Sequence, residues 1–157
     1  MINKTLKKYC FDNRVPNPVN ITFSQKQTIG GSYHYKSIDG FISSNNFRYF
    51  KNILNKKVFG NTYRRFGKKL KMVVIAEGGD NLRHHLHTII EMPKNLTLES
   101  FKKLIRYCWN KTLLGYEQIH IEKPTTQQRE DGWLHYILKE RTKIDLTSSI
   151  DWENTHL

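Results

Sequence analysis

Residues 71–92, KMVVIAEGGDNLRHHLHTIIEM, admit few folds, because two apolar runs flank the turn-forming cluster Gly78, Gly79, Asp80 and Asn81. Val73, Val74 and Ile75 lead into Glu77, and Leu86, Thr88, Ile89 and Ile90 carry the return, so the stretch reads as a β-hairpin. Side chains alternate across a strand, which puts His85 and His87 on one face and His84 and Leu86 on the other. Glu77 shares the face of His85 and His87 if it lies opposite an odd-numbered residue of the returning strand. Pairing it with His85 satisfies that parity and leaves 78–84 as the loop. Two imidazoles and a carboxylate offer the nitrogen and oxygen donors that suit manganese, magnesium, zinc or nickel, with positions left open for a substrate. The carboxylate tips the choice of divalent metal ion toward the harder Mn2+ or Mg2+. The competing account is structural: a strand histidine held by hydrogen bonds and a strand-end glutamate facing solvent. A one-residue slip would turn the carboxylate to the opposite face; were Glu77 not a ligand, His84 or His120 would be the candidates for the third position.

The 157 residues suffice for one domain with its own core. Lysine and arginine number 26 against 14 acidic residues, a formal net charge of +12. Such a field attracts phosphate backbones and, less often, an anionic membrane surface. No apolar run approaches the roughly 18 residues that cross a bilayer, and the first residues, MINKTLKKYCFDNR, lack the apolar middle of an export signal. Cys10 and Cys108 stand alone, which argues against a disulfide framework and a cysteine-ligated zinc and points to a reducing compartment.

Read in order, residues 1–18 form a basic arm broken by Pro16 and Pro18, and VNITFS alternates Val19, Ile21 and Phe23 with polar residues as a first strand. Residues 25–40 read as a surface loop whose Tyr33-His34-Tyr35 cluster beside lysines has the composition of a base-stacking platform. A helix capped by Ser43 or Ser44 places Phe47, Phe50, Leu54 and Val58 on one side. It runs into 56–71, a basic stretch with no acid, in which Arg64, Arg65, Lys68 and Lys69 lie among Phe59, Tyr63 and Phe66; this is the candidate nucleic-acid surface. Thr97 caps a second helix with Leu98, Phe101, Ile105 and Cys108 inward, and residues 116–123 form another strand. A last helix starts at Thr125 or Thr126 and runs through DGWLHYILKERTK, with Gly132 as a soft spot. Its apolar side holds Trp133, Leu134, Ile137 and Leu138, while Tyr136, Lys139 and Lys143 share another face. Tyr136 is therefore not needed for the core, and a phenol beside ammonium groups suits phosphate chemistry. Residues 144–157 read as a short polar tail.

His85-Leu86-His87 on a strand, Glu77 upstream of it and Tyr136-Ile137-Leu138-Lys139 on a later helix together resemble the HUH endonuclease superfamily, in particular single-tyrosine rolling-circle replication initiators. The resemblance spans roughly 19–140 and implies an α+β domain: an antiparallel sheet of about five strands with flanking helices, ferredoxin-like, with a core at about 19–143 between a flexible arm and tail. It places the His-hydrophobic-His ligands on His85 and His87, the acidic ligand on Glu77, the nucleophile on Tyr136 and its companion lysine on Lys139. Lys143 joins Arg64, Arg65, Lys68 and Lys69 as DNA-binding residues. The family's first-strand motif is matched only loosely by Ile21-Thr22-Phe23-Ser24. What the resemblance implies is a metal-dependent nicking and joining enzyme acting on single-stranded DNA at a replication origin through a 5′-phosphotyrosine. It also implies a helicase and a polymerase supplied by the host, and a setting in the bacterial cytoplasm or, for a eukaryotic virus, the host nucleus. The alternatives are a transposase of the same superfamily and a binding module without chemistry.

Overall fold

The alternation of Val19, Ile21 and Phe23 with Asn20, Thr22 and Ser24 gives β1 (Pro18–Gln25) two unlike faces, and the computed structural model uses both. It describes residues 2–79, 82–139 and 146–157. Around β1 stand β4 (Met72–Gly79), β5 (Leu82–Glu91) and β6 (Gly115–Glu122), in the order β4-β5-β1-β6 with antiparallel pairing throughout. Helix α2 (Gly40–Phe59) connects β1 to β4 and α4 (Leu98–Asn110) connects β5 to β6, so the main elements run βαββαβ in a ferredoxin-like, α+β arrangement. The remaining elements are α1 (Ile2–Asp12), the separate hairpin β2 (Thr28–Gly31) and β3 (His34–Ser37), α3 (Asn61–Phe66), α5 (Gln127–Ile137) and α6 (Leu146–Ser149).

One face of the sheet presents Val19, Ile21, Phe23, Met72, Val74, Leu86 and Ile90 to α2 and α4. Phe23, Phe47, Phe50 and Trp109 interlock there, with ring centroids from 4.7 to 5.7 Å apart. The opposite face carries Val73, Ile75 and Ile89, covered by Cys10 of α1, Leu134 and Ile137 of α5 with Leu138 just beyond it, and Leu146 and Ile150. This second layer stops short of β6, where His120 and Glu122 stay exposed. Burial pushes the thiols of Cys10 and Cys108 up to about 11, so both behave as apolar filling. Among the described residues, no helix is long and apolar enough to cross a membrane.

Several sequence expectations are corrected. The basic arm is helical from Ile2 to Asp12, because Leu6, Cys10 and Phe11 fall on one side and pack into the second layer. The loop at 25–40 contains the β2–β3 hairpin, so the strands form a four-stranded sheet plus a two-stranded one, not a single sheet of about five. Helix α2 starts at Gly40, where the Asp39 carboxylate accepts a 2.8 Å hydrogen bond from Ile42 N; Ser43 is buried and donates to Gln25 Oε1. The polar tail is not free. Asp151 N donates to Val74 O at 2.9 Å, and Met72 and His156 exchange two backbone bonds of 2.7 Å, which closes the exposed edge of β4. Helix α5 has its cap at Thr126 and ends at Ile137; Lys143 lies outside the described residues.

Candidate metal centre

Strand register builds the site. Glu77 pairs with His85, Ile75 with His87, and on the other side of β5 Thr22 pairs with His87, so Glu77, His85, His87 and Thr22 all project from the second face. This is the parity the sequence required, but 78–84 is not all loop: pairing resumes at Gly79 and Leu82 after an irregularity at Gly78. Gly78 has φ +134, and a Cβ there would lie 2.7 Å from His84 Cα and 2.9 Å from Arg83 O. Gly78→Ala is expected to cost roughly 1–3 kcal/mol of stability and to weaken metal binding, because the irregularity sets the approach of Glu77. Denaturant unfolding and a Mn2+ titration of that variant test both effects.

His85 Nε2 and His87 Nε2 lie 3.1 Å apart, and Glu77 Oε2 is 3.2 Å from the first and 2.8 Å from the second. His85 Nδ1 faces the Arg83 carbonyl at 3.0 Å; a carbonyl only accepts, so that nitrogen carries a proton and Nε2 is the ring atom left to serve as a metal ligand. His85 Nε2 and Glu77 Oε2 thus converge to 3.2 Å. A cation would find both as ligands, and His87 can add a third through Nε2 with its Nδ1 turned to Thr22 Oγ1, 3.1 Å away. The chemistry and spacing of these side chains fit a metal ion, and the three form the cluster able to hold one among the described residues. His87 is buried, Glu77 is largely but not fully covered and His85 is open on one side, as a centre that must receive a ligand requires.

Tyr136 stands beside this cluster. Its ring centroid is 5.5 Å from that of His87 in edge-to-face contact, and Trp133 packs against both rings. Leu134, Ile137 and Leu138 anchor this end of the chain in the second core, so packing below fixes where Tyr136 stands while the ring stays 46% exposed. Lys139 Nζ sits 4.0 Å from the centre of the Tyr136 ring, a cation–π contact.

The structure does not bring the basic run to this site. Arg64 and Arg65 lie on α3 and Lys68 and Lys69 just after it, all exposed, leading into Met72 at the far end of β4 from Glu77. Five residues of strand separate those ends by about 17 Å. Positive charge is crowded there: His156 is held below the ordinary imidazole range by burial, then by Lys69, Lys71 and Lys51. Of the fallback ligands, His84 has its backbone tied to the Gln27 side chain by bonds of 2.7 and 3.0 Å, and His120 lies 3.7 Å from Glu122, one strand away.

Two residues of the site escaped the sequence reading. Thr22 belongs to the loosely matched first-strand motif, and only cross-strand register brings its hydroxyl to His87. Trp133 reads as core by its apolarity, yet it lies three residues before Tyr136, on the same helix face, and is only half-buried. Comparison of the chain with protein-family models, with curated proteins and with solved structures finds no match in any of the three.

Proposed function

We propose that this protein is a metal-dependent endonuclease and strand transferase of the HUH type, which nicks single-stranded DNA at a replication origin and rejoins it through Tyr136. The observation that supports this reading is the triangle of Glu77, His85 and His87 with the exposed Tyr136 ring in contact with His87. The three donor separations, 2.8, 3.1 and 3.2 Å, are near the roughly 3.0 Å between neighbouring ligands of an octahedral ion with bonds of about 2.1 Å, so Mg2+ or Mn2+ is the proposed ion. Such an ion would offset charge on the non-bridging oxygens of a phosphodiester.

Tyr136 Oη attacks phosphorus in line; the Oη–P bond forms as the P–O3′ bond breaks. The phenolic proton passes to solvent and a solvent proton completes the released 3′-hydroxyl, leaving the 5′ end on the tyrosine. Attack by a 3′-hydroxyl on that phosphotyrosine reverses the step and joins strands. Lys139, stacked over the ring, holds the phenol in place and adds positive charge for the phosphate. The single Tyr-x-x-Lys on a helix that follows a strand favours an initiator over a transposase. A helicase and a polymerase of the host would then act on the 3′ end, in a bacterial cytoplasm or a host nucleus. Incubation with single-stranded DNA and Mn2+, followed by denaturing electrophoresis for a protein–DNA adduct, tests the reading; no adduct with or without metal would refute it.

On this reading Arg64, Arg65, Lys68 and Lys69 grip backbone away from the nick. Neutralising all four is expected to lower the slope of log affinity against log salt by up to about 3, at roughly 0.7 per single-strand phosphate contact. An unchanged slope would make that run a solvated face only.

A further inference from the structure

Beside the metal cluster the same sheet face opens into a cleft of about 300 Å3, lined by Asn20, Glu122, Arg129, Gly132, Trp133 and Tyr136. Asn20 on β1 pairs with Glu122 on β6 and stands one pleat from Thr22, whose hydroxyl contacts His87. Residues 129, 132, 133 and 136 fall at i, i+3, i+4 and i+7 of α5, so one face of that helix forms the opposite wall.

Two features of this cleft have no explanation in the fold. The indole N–H of Trp133 is buried and has no hydrogen-bond partner among the described residues, and the Asn20 side chain, which also lines the cleft, makes no hydrogen bond to a described residue. A buried N–H is ordinarily paired, because leaving it unpaired is destabilising. Gly132 sits inside a helix, where glycine is among the poorest formers, and a Cβ added there would meet no atom within 4 Å. Packing therefore does not exclude a side chain at 132.

The geometry points to this cleft as the pocket for one unpaired nucleobase, that of the nucleotide adjacent to the phosphate Tyr136 attacks, with Asn20 as the residue that reads it. The identity of the strand rests on the nuclease reading above. An asparagine amide presents a donor beside an acceptor, the complement of N6 and N7 of adenine, so adenine is the base expected. Enzymes that take a base out of its stack hold it by such hydrogen bonds and by aromatic faces. Trp133 and Tyr136, stacked at 30° with centroids 5.5 Å apart, supply the aromatic wall. The missing side chain at Gly132 leaves the room.

Two measurements test the pocket. A fully randomised single-stranded DNA library is incubated with the protein and Mn2+, and the strands recovered as covalent adducts are sequenced. The native protein is expected to select adenine at one position next to the nick. Asn20→Ala should relax selection there by about tenfold or more and leave the other positions as they were. Gly132→Leu, which adds bulk to the cleft on a helix it strengthens, should relax the same position and lower the yield. Unaltered selection in both variants would overturn the pocket. The second measurement needs no cleavage: the indole N–H resonances are followed by NMR as deoxyadenosine 5′-monophosphate or thymidine 5′-monophosphate is added. The adenylate should move the Trp133 signal and not those of Trp109 or Trp152, and Gly132→Leu should abolish the shift. Such a shift without any covalent adduct would keep the pocket and remove the nuclease reading. Adducts with no Trp133 shift and no change in selection would keep the nuclease and remove the pocket.

Discussion

Tyr136→Phe is expected to abolish the covalent protein–DNA adduct while single-stranded DNA binding stays within about twofold of the native protein. The phenol is 46% exposed and its hydroxyl bonds to no described residue, so its removal breaks nothing in the fold. Stability should change by no more than about 0.5 kcal/mol. The ring contacts with His87 and Trp133 and the ammonium of Lys139 above the ring all survive in phenylalanine. What disappears is the oxygen that would bond to phosphorus, and loss of a covalent nucleophile costs on the order of a millionfold in rate. Quantitative gel assays of adduct formation beside anisotropy measurements of binding check both halves. Normal nicking by this variant would remove Tyr136 from the mechanism and turn attention to Tyr63, Tyr107 and Tyr116.

Metal affinity gives the second large effect. His87→Ala and Glu77→Ala are each expected to weaken Mn2+ binding by about 100-fold or more, and Thr22→Val by about 10- to 100-fold, because its hydroxyl orients the His87 ring. The loss of His87 removes a buried donor that faces both partners, whereas His85 lies at the open side. In the native protein Mn2+ at 100 times its Kd should add about 2.7 kcal/mol of stability, which the His87 variant should not gain. Calorimetric titration and thermal unfolding with and without Mn2+ measure these changes. Identical titrations for the native protein and both ligand variants would mean that hydrogen bonds alone hold the triangle together.

What could be read from the chain depended on whether side chains or backbone carried the signal. The period of two in 73–77 and 85–90 forces His85 and His87 onto one face and leaves Glu77 a single parity to satisfy, which is why that constellation is legible in the sequence. The reach of the hairpin beyond Glu77 was not legible, because resumed pairing at Gly79 and Leu82 depends on a positive φ at Gly78 that glycine permits but does not announce. The tail was opaque for a related reason: residues 150–156 close the β4 edge largely through backbone bonds, which leave little pattern in the side chains. The β2–β3 hairpin has almost no buried side chains and so no alternation to read. Asp39 outcompetes Ser43 as a cap because Ser43 spends its hydroxyl on Gln25, a contact between residues that only the folded chain brings together. Thr22 and Asn20 gain their neighbours from register across β1, β5 and β6, so single-strand reasoning could place them on a face and go no further.

The most direct test of the account is to find where DNA is attached. The protein is incubated with randomised single-stranded DNA and Mn2+ or with a chelator, then digested with nuclease and trypsin, and the peptides are analysed by mass spectrometry. A nucleotide linked through its 5′ phosphate to Tyr136 is expected, present with Mn2+ and absent with chelator. Attachment at another residue, or an adduct that forms equally well without metal, would contradict it.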